Sequence, residues 1–261
     1  MIHPTALISP HAEIGEGVSI GAYSIVHGNV SLGAGTKIDA YCEIGYPTPM
    51  AEGRKLSIGR DSLIRSHSVF YEGSSFGDGL KTGHRVTVRE LTQAGDALQI
   101  GTLSDIQGHC QIGHHVRTHS NVHIGQGSRI GNFVWLFPYI VLTNDPHPPS
   151  HLCIGPTLDD YAVVATMSMI LPGVHVGEHG FVGAHSLVRK DVEPGTLVAG
   201  NPAKFICRTE EVKLRDGSGA PAYPWNRHFH RGYPEEVVAQ WMKAFDQAAQ
   251  GSSAPPSAPN A

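Results

Sequence analysis

The chain has 261 residues, of which 40% are hydrophobic and 16% charged, with a formal net charge of −4. That length suits one domain with a small appendage. The acidic balance and the lack of any basic run argue against a nucleic acid polymer as partner, and no apolar run reaches the roughly 18 residues of a membrane-spanning helix.

The opening segment "MIHPTALISPHA" enters a repeat at once, with nothing that reads as a signal peptide. Four scattered cysteines without a C-x-x-C spacing predict free thiols in a reducing, cytoplasmic setting. Stepping by six from Ile2 gives Ile2, Ile8, Ile14, Ile20, Val26, Leu32, Ile38 and Ile44. The register breaks over "YPTPMAEGRKLS", runs again from Ile58 to Leu142, breaks over "TNDPHPPSHLCIGPT", and resumes from Leu158 to Val188. All of these positions are apolar except Thr82 and Thr118, whereas a 40% hydrophobic chain would make fewer than half so by chance. Glycine often follows the aliphatic residue, as in Gly15, Gly21, Gly33 and Gly59, and is expected to supply the positive φ of a tight corner. A small or β-branched residue stands four places after it, as in Val18, Ser24 and Val30. Two inward side chains per six residues fit a short strand and a corner, so the period predicts a parallel β-helix with rungs about 4.8 Å apart.

Three segments are expected to depart from the repeat: 45–57, 71–98 and 143–157. Function is expected there, because a regular solenoid is a scaffold. The repeat ends near residue 208. "RDGSGAPAYPWNRHFHRG" reads as loop. "YPEEVVAQWMKAFDQAAQ" predicts an amphipathic helix with Val237, Val238, Trp241, Met242 and Phe245 on one face. It would either cover the solenoid or help to select substrate. The domains expected are thus 1–208, 209–250 and a disordered tail at 251–261.

The repeat resembles the left-handed parallel β-helix of the hexapeptide acyltransferases, in which three hexads make an 18-residue coil. The hand is implied by that resemblance. The loop "VLTNDPHPPSH" and the ending "VRKDVEPGTLVAGNPAKFI" resemble the sugar and xenobiotic acyltransferases of that family. With "TGHRVTVRE" upstream, they look closest to bacterial nucleotide-sugar N-acyltransferases. The resemblance implies a cytoplasmic homotrimer that transfers an acyl group from acetyl-coenzyme A or another acyl-coenzyme A to an amino sugar on a nucleotide, for a surface glycan such as lipopolysaccharide. No metal is expected. Several relatives carry a histidine base just before the loop proline. Here Asp145 stands there, and a histidine follows at His147.

Such chemistry needs a base for the attacking group, a donor for the oxyanion and cations for phosphate. His84, within "TGHRVTVRE", is the first candidate base and Asp145 the second. Glu90, Arg89, His119, Asn121, His123 and Asn144 are candidate substrate contacts. Coil arithmetic places His84 and His119 on one face and Glu90 and Asn144, three coils apart, on another. By resemblance, Thr166 and Ala184 lie where related enzymes bind the pantetheine arm, and Lys190, Lys204 and Arg208 are cations for the cofactor's nucleotide end. Direct attack is expected, since no Cys or Ser has an activated setting. Sugar O-acylation would use the same constellation. Two further readings remain open: a zinc enzyme like the γ-class carbonic anhydrases, on His84, His114 and His119, and a trimeric scaffold without catalysis.

Overall fold

The computed structural model describes residues 1–251, with side chains as far as Gln247. It divides into two units, Met1–Cys207 and the segment from Arg208 onward. The tail expected over 251–261 lies, beyond Gly251, outside the described residues.

The first unit is a left-handed parallel β-helix of about 11 turns. Most of its strands are two residues long, and each pairs in parallel with the strand one coil on: Leu7 with Ile25, Glu13 with Ser31, Ser19 with Lys37. Three sheets result. Sheet 1 has ten strands, from Leu7–Ile8 to Leu187–Val188. Sheet 2 has nine, from Glu13–Ile14 to His175–Val176, and sheet 3 has eleven, from Ser19–Ile20 to Lys204–Arg208. The chain visits them in the order 1, 2, 3 in each coil up to Leu187–Val188, after which the last two strands both join sheet 3.

The hexad explains this geometry. Successive side chains of a strand alternate sides, so the aliphatic second residue of each pair faces inward; Ile100, Ile106 and Ile112 are 2%, 1% and 5% exposed. Corner residues four places on, such as Val86, Val116, Val122 and Val134, fill the angles of the prism and are fully buried. The positive φ falls three places after the aliphatic residue, at Gly17 and Gly35 and also at Tyr23, Tyr41, Arg85 and Asn121. The glycine that directly follows the aliphatic residue answers a different demand from the one expected. A Cβ on Gly21 would sit 2.5 Å from the Ala40 nitrogen of the next rung.

Two insertions interrupt the coils. Val69 pairs with Glu43, 26 residues back instead of 18, and Thr157 pairs with Arg129, 28 residues back. The segment 71–98, expected to depart, is instead regular, with strands Ser75–Phe76, Lys81–Thr82, Thr87–Val88 and Gln93–Ala94 in place. Its outward spelling is unusual, but Phe70, Phe76 and Val88 still point inward at 5% exposure or less. The two threonines in the apolar columns have served hydroxyls. Thr82 Oγ1 accepts from the Arg65 N–H at 2.9 Å, and Thr118 Oγ1 from the Gly101 N–H at 3.2 Å.

The second unit holds a 3-10 turn at Trp225–Arg227 and helix α1, Glu235–Gly251. Trp241 of α1 is 5% exposed and packs on Tyr233 and Trp225 at centroid distances of 4.9 and 5.6 Å. Val237, Val238 and Phe245 of the expected apolar face are half-buried, and Met242 is exposed. Among the described residues no helix is long and apolar enough to cross a membrane.

Candidate active site

The strands Asp105–Ile106 and His123–Ile124 are neighbours in sheet 1, with Asp105 opposite His123. Ile106 and Ile124 point inward at 1% exposure each. Alternation therefore sends Asp105 and His123 outward, side by side. His123 Nδ1 lies 3.0 Å from Asp105 Oδ2 and 3.2 Å from Oδ1, and Gln107 Nε2 donates to the same carboxylate. Burial pushes the Asp105 carboxyl up, but the bonds from His123 and then Gln107 outweigh it and hold it below its ordinary value. The bond to Asp105 raises the His123 imidazole above its ordinary 6.5, against a smaller opposing effect of burial. With Nδ1 held by a carboxylate, Nε2 is the nitrogen left to exchange a proton with a substrate.

The second insertion, 143–156, starts one rung further on. With His123 it encloses a cleft of about 470 Å³, lined by Thr143, Asn144, Asp145, Pro146, Pro148, Leu171 and Pro172. Gly125 keeps the rung of His123 open beside it. A Cβ there would meet the Leu142 carbonyl oxygen at 2.5 Å, so the position admits no side chain. Asn144 lies against Gly125, and its Nδ2 is 3.3 Å from Cys153 Sγ. Asp145 lies in the same cleft, but both its oxygens are committed to its own loop. Oδ1 accepts from the His147 N–H at 3.0 Å and the Ser150 hydroxyl at 2.7 Å, and Oδ2 from the Ser150 N–H at 3.0 Å. The Ser150 hydroxyl is the main cause holding its carboxyl below the ordinary value. That is the arrangement of a loop-closing Asx residue, and it opposes proton uptake.

Arg89 and Glu90 leave sheet 1 at the same edge, two rungs before His123. Glu90 is 1% exposed, and its carboxylate takes Nε and Nη2 of Arg89 at 3.3 and 2.9 Å. The structure thus brings His123, Asn144, Asp145, Arg89 and Glu90 to one face and edge. His84, His119 and Asn121 sit on another corner, between sheets 3 and 1. There His84 Nδ1 meets Ser66 Oγ at 2.9 Å, and His119 stacks on Phe137 at 4.8 Å. Partial burial lowers the pKa of His119. Thr166 and Ala184 occupy that corner further along, in successive coils joined by the His185 N–H to Thr166 carbonyl bond. Lys190 and Lys204 share a cavity of about 360 Å³ with Asp191, Glu193 and Phe205, and Arg208 opens the second unit. Among the described residues no three His, Cys, Asp or Glu side chains converge to hold a metal ion, and His114 lies on a third corner, paired with Asp96 at 3.3 Å.

Sequence reasoning missed Asp105 and Gln107. The signal was present: Asp105 stands 18 residues, one coil, before His123.

Residues 1–46 match the family described as bacterial transferase hexapeptide (six repeats). The chain is similar over most of its length to two bacterial acyl-[acyl-carrier-protein]–UDP-N-acetylglucosamine O-acyltransferases. With that of Pseudomonas entomophila it is 30% identical, covering 94% of this chain and 90% of the relative. With that of Burkholderia orbicola it is 32% identical, covering 88% and 81%. In fold it is similar to the Arabidopsis UDP-N-acetylglucosamine acyltransferase, with a TM-score of 0.65 at 18% identity over 99% of this chain and 86% of that one.

Proposed function

The chain belongs to the hexapeptide-repeat acyltransferase family that includes these O-acyltransferases, and from that premise we propose that it carries an acyl group from a phosphopantetheine thioester to a hydroxyl of a nucleotide-linked sugar, in making a surface glycan. The observation that carries this reading is the Asp105–His123 pair, bound through Nδ1, with His123 lining the cleft beside the second insertion.

In this reading His123 is the general base, in place of His84 or Asp145. Nε2 takes the proton of the acceptor hydroxyl as its oxygen bonds to the thioester carbon. Asp105 stabilises the imidazolium that forms. The Asn144 amide donates to the oxyanion of the tetrahedral intermediate. When that intermediate collapses, the C–S bond breaks and the imidazolium returns the proton to the departing thiolate. Pro146, Pro148, Leu171 and Pro172 offer apolar surface to the acyl chain. If the donor is coenzyme A, the corner at Thr166 and Ala184 accompanies its pantetheine arm, and Lys190, Lys204 and Arg208 are the cations for its phosphates. If the donor is an acyl carrier protein, as the relatives' names state, those cations face an acidic protein surface instead. The active form is a homotrimer, which light scattering beside an activity assay tests.

The acceptor atom has a second reading. The loop spelled Thr143-Asn144-Asp145-Pro146 resembles the N-acyltransferases, so an amino sugar competes with the hydroxyl. The experiment assays acyl-coenzyme A and acyl-carrier-protein donors with UDP sugars bearing a hydroxyl or an amine. His123→Ala should lose about 10²- to 10⁴-fold in kcat with the true pair, the usual worth of a positioned base. Full turnover in His123→Ala together with its loss in His84→Ala would move the base to the other corner and refute the proposal.

A further inference from the structure

Both insertions leave the regular coils from sheet 1. The first follows the strand Glu43–Tyr46 and the second follows Val141–Leu142. Five rungs separate these strands, about 24 Å at 4.8 Å per rung. His123 stands one rung from the second insertion. Near the first stand two tyrosines and an arginine that the acyl-transfer chemistry does not use.

Resting on the nucleotide-sugar reading above, we propose that sheet 1 between the insertions binds the nucleoside diphosphate portion of the acceptor, with the base against Tyr46 and Tyr71, the diphosphate at Arg89 and the sugar at His123.

Tyr46 and Tyr71 are register partners, with ring centroids 4.9 Å apart, and Tyr46 keeps 40% of its surface exposed. A nucleobase stacks on such a ring whatever its hydrogen-bonding edge. Arg89 lies over the Tyr71 ring, 5.9 Å from its centroid. Its guanidinium is fixed from behind by the buried Glu90 through Nε and Nη2, and Met50 of the first insertion touches Nη2 at 3.4 Å. Nη1 keeps its two hydrogens for an added acceptor, the use for which a planar, always-charged fork suits phosphate. The carboxylates nearby are already engaged. Glu43 meets His27 at 3.0 Å, and Glu72 accepts from the Thr48 N–H at 3.1 Å and from Asn29 Nδ2 at 3.3 Å.

Order and spacing fix the direction. Arg89 is two rungs, about 10 Å, from the rung of His123, and Tyr71 is three, about 14 Å. Base, diphosphate and sugar follow in that order along a nucleoside diphosphate sugar. The opposite end of the site is walled by three prolines and a leucine, which would desolvate a diphosphate without pairing it.

A base followed by a diphosphate also occurs in coenzyme A, so the test separates the two sources. Calorimetric titrations use UDP, uridine and coenzyme A against wild type, Tyr46→Leu, Arg89→Lys and His123→Ala, each checked for an unchanged melting temperature. Tyr46→Leu should weaken UDP and uridine alike by about tenfold, within the range of one lost stacking contact. Arg89→Lys keeps the charge against Glu90 but loses the fork, and should weaken UDP about tenfold while sparing uridine. His123→Ala should bind UDP as wild type does. In turnover, both tyrosine and arginine variants should raise KM for the acceptor and leave kcat and the donor KM unchanged. Unchanged UDP affinity in both variants, or a loss confined to coenzyme A, overturns the proposal. So does a wild type that does not bind UDP. Affinity that falls as expected in a chain that transfers no acyl group upholds the subsite and refutes the reaction, so the two failures are separable.

Discussion

Replacing Asp105 by Asn keeps the shape of the pair and removes its charge. In the native chain the carboxylate sits 3.0 Å from His123 Nδ1 and holds the imidazole above 6.5. A raised base is more often protonated near neutrality, so the acidic limb of kcat/KM should lie above pH 6.5. The amide removes both the hydrogen bond to a charged acceptor and the attraction to the imidazolium, and leaves burial, which acts the other way. The acidic limb should therefore move to lower pH in Asp105→Asn. Its plateau should also fall, because an amide neither selects the tautomer nor stabilises the imidazolium as the proton arrives; a loss of about 10- to 10²-fold is expected, below the full worth of the base. The assay is initial rate against pH at subsaturating acceptor, from pH 5 to 9, for wild type, Asp105→Asn and His123→Ala. A limb that stays in place in Asp105→Asn, or that survives in His123→Ala, would show that another group titrates and that the pair does not drive the reaction.

The same pair should register in stability. The raised His123 contributes below pH 6.5 and loses its share as pH climbs through its native value; the lowered Asp105 contributes above 3.8 and loses its share as pH falls through its native value. The melting-temperature gap between wild type and Asp105→Asn should thus be widest from about pH 4 to 6.5 and shrink toward pH 8, read by scanning fluorimetry. In the core, Phe70 is fully buried and meets Phe76 edge-on at 5.4 Å, so Phe70→Ala should cost about 3–5 kcal/mol in urea denaturation. Arg89→Ala leaves the 1%-exposed Glu90 carboxylate without its partner and should cost about 3 kcal/mol, the low end for a broken buried pair because Arg89 is itself a third exposed. Burial pushes the Cys42 and Cys110 thiols up to about 11. Iodoacetamide at pH 8 should therefore label the exposed Cys153 and reach those two only after denaturation, as peptide mass mapping will reveal.

The hexad announced the architecture because one physical demand, an inward aliphatic residue at each strand, recurs in every rung. Ile20, Ile64, Ile106 and Val182 answer it identically, and no local exception in 71–98 could cancel it. Gly21 and its equivalents serve the close approach of the next rung, which sequence alone does not show. Placing the chemistry was harder for a related reason. Histidines are common on these corners, and His84 stands in a suggestive motif, but a motif does not say which partner lies 18 residues away. His27 with Glu43, His114 with Asp96, His123 with Asp105 and His175 with Asp159 all pair across rungs. What distinguishes His123 among them is the chain's second insertion, with which it lines a cleft.

That distinction follows from how a solenoid can acquire a site at all. Every rung repeats the same backbone, so an outward side chain on one coil differs from the next only in identity. Chain that does not repeat can wall one row off from the others, and this chain places its two insertions after strands of one sheet, eight extra residues after Ile44 and ten after Leu142. An insertion on sheet 2 or sheet 3 would have enclosed other columns, and His175 with Asp159, paired at 2.7 Å, would then be the better candidate. Shortening the second insertion to the regular four-residue corner should accordingly leave the coils paired, because Leu142 and Leu158 already hold equivalent inward places. It should remove acyl transfer while UDP binding at the far end persists. Loss of both together would mean that the two ends of sheet 1 do not act as separate subsites.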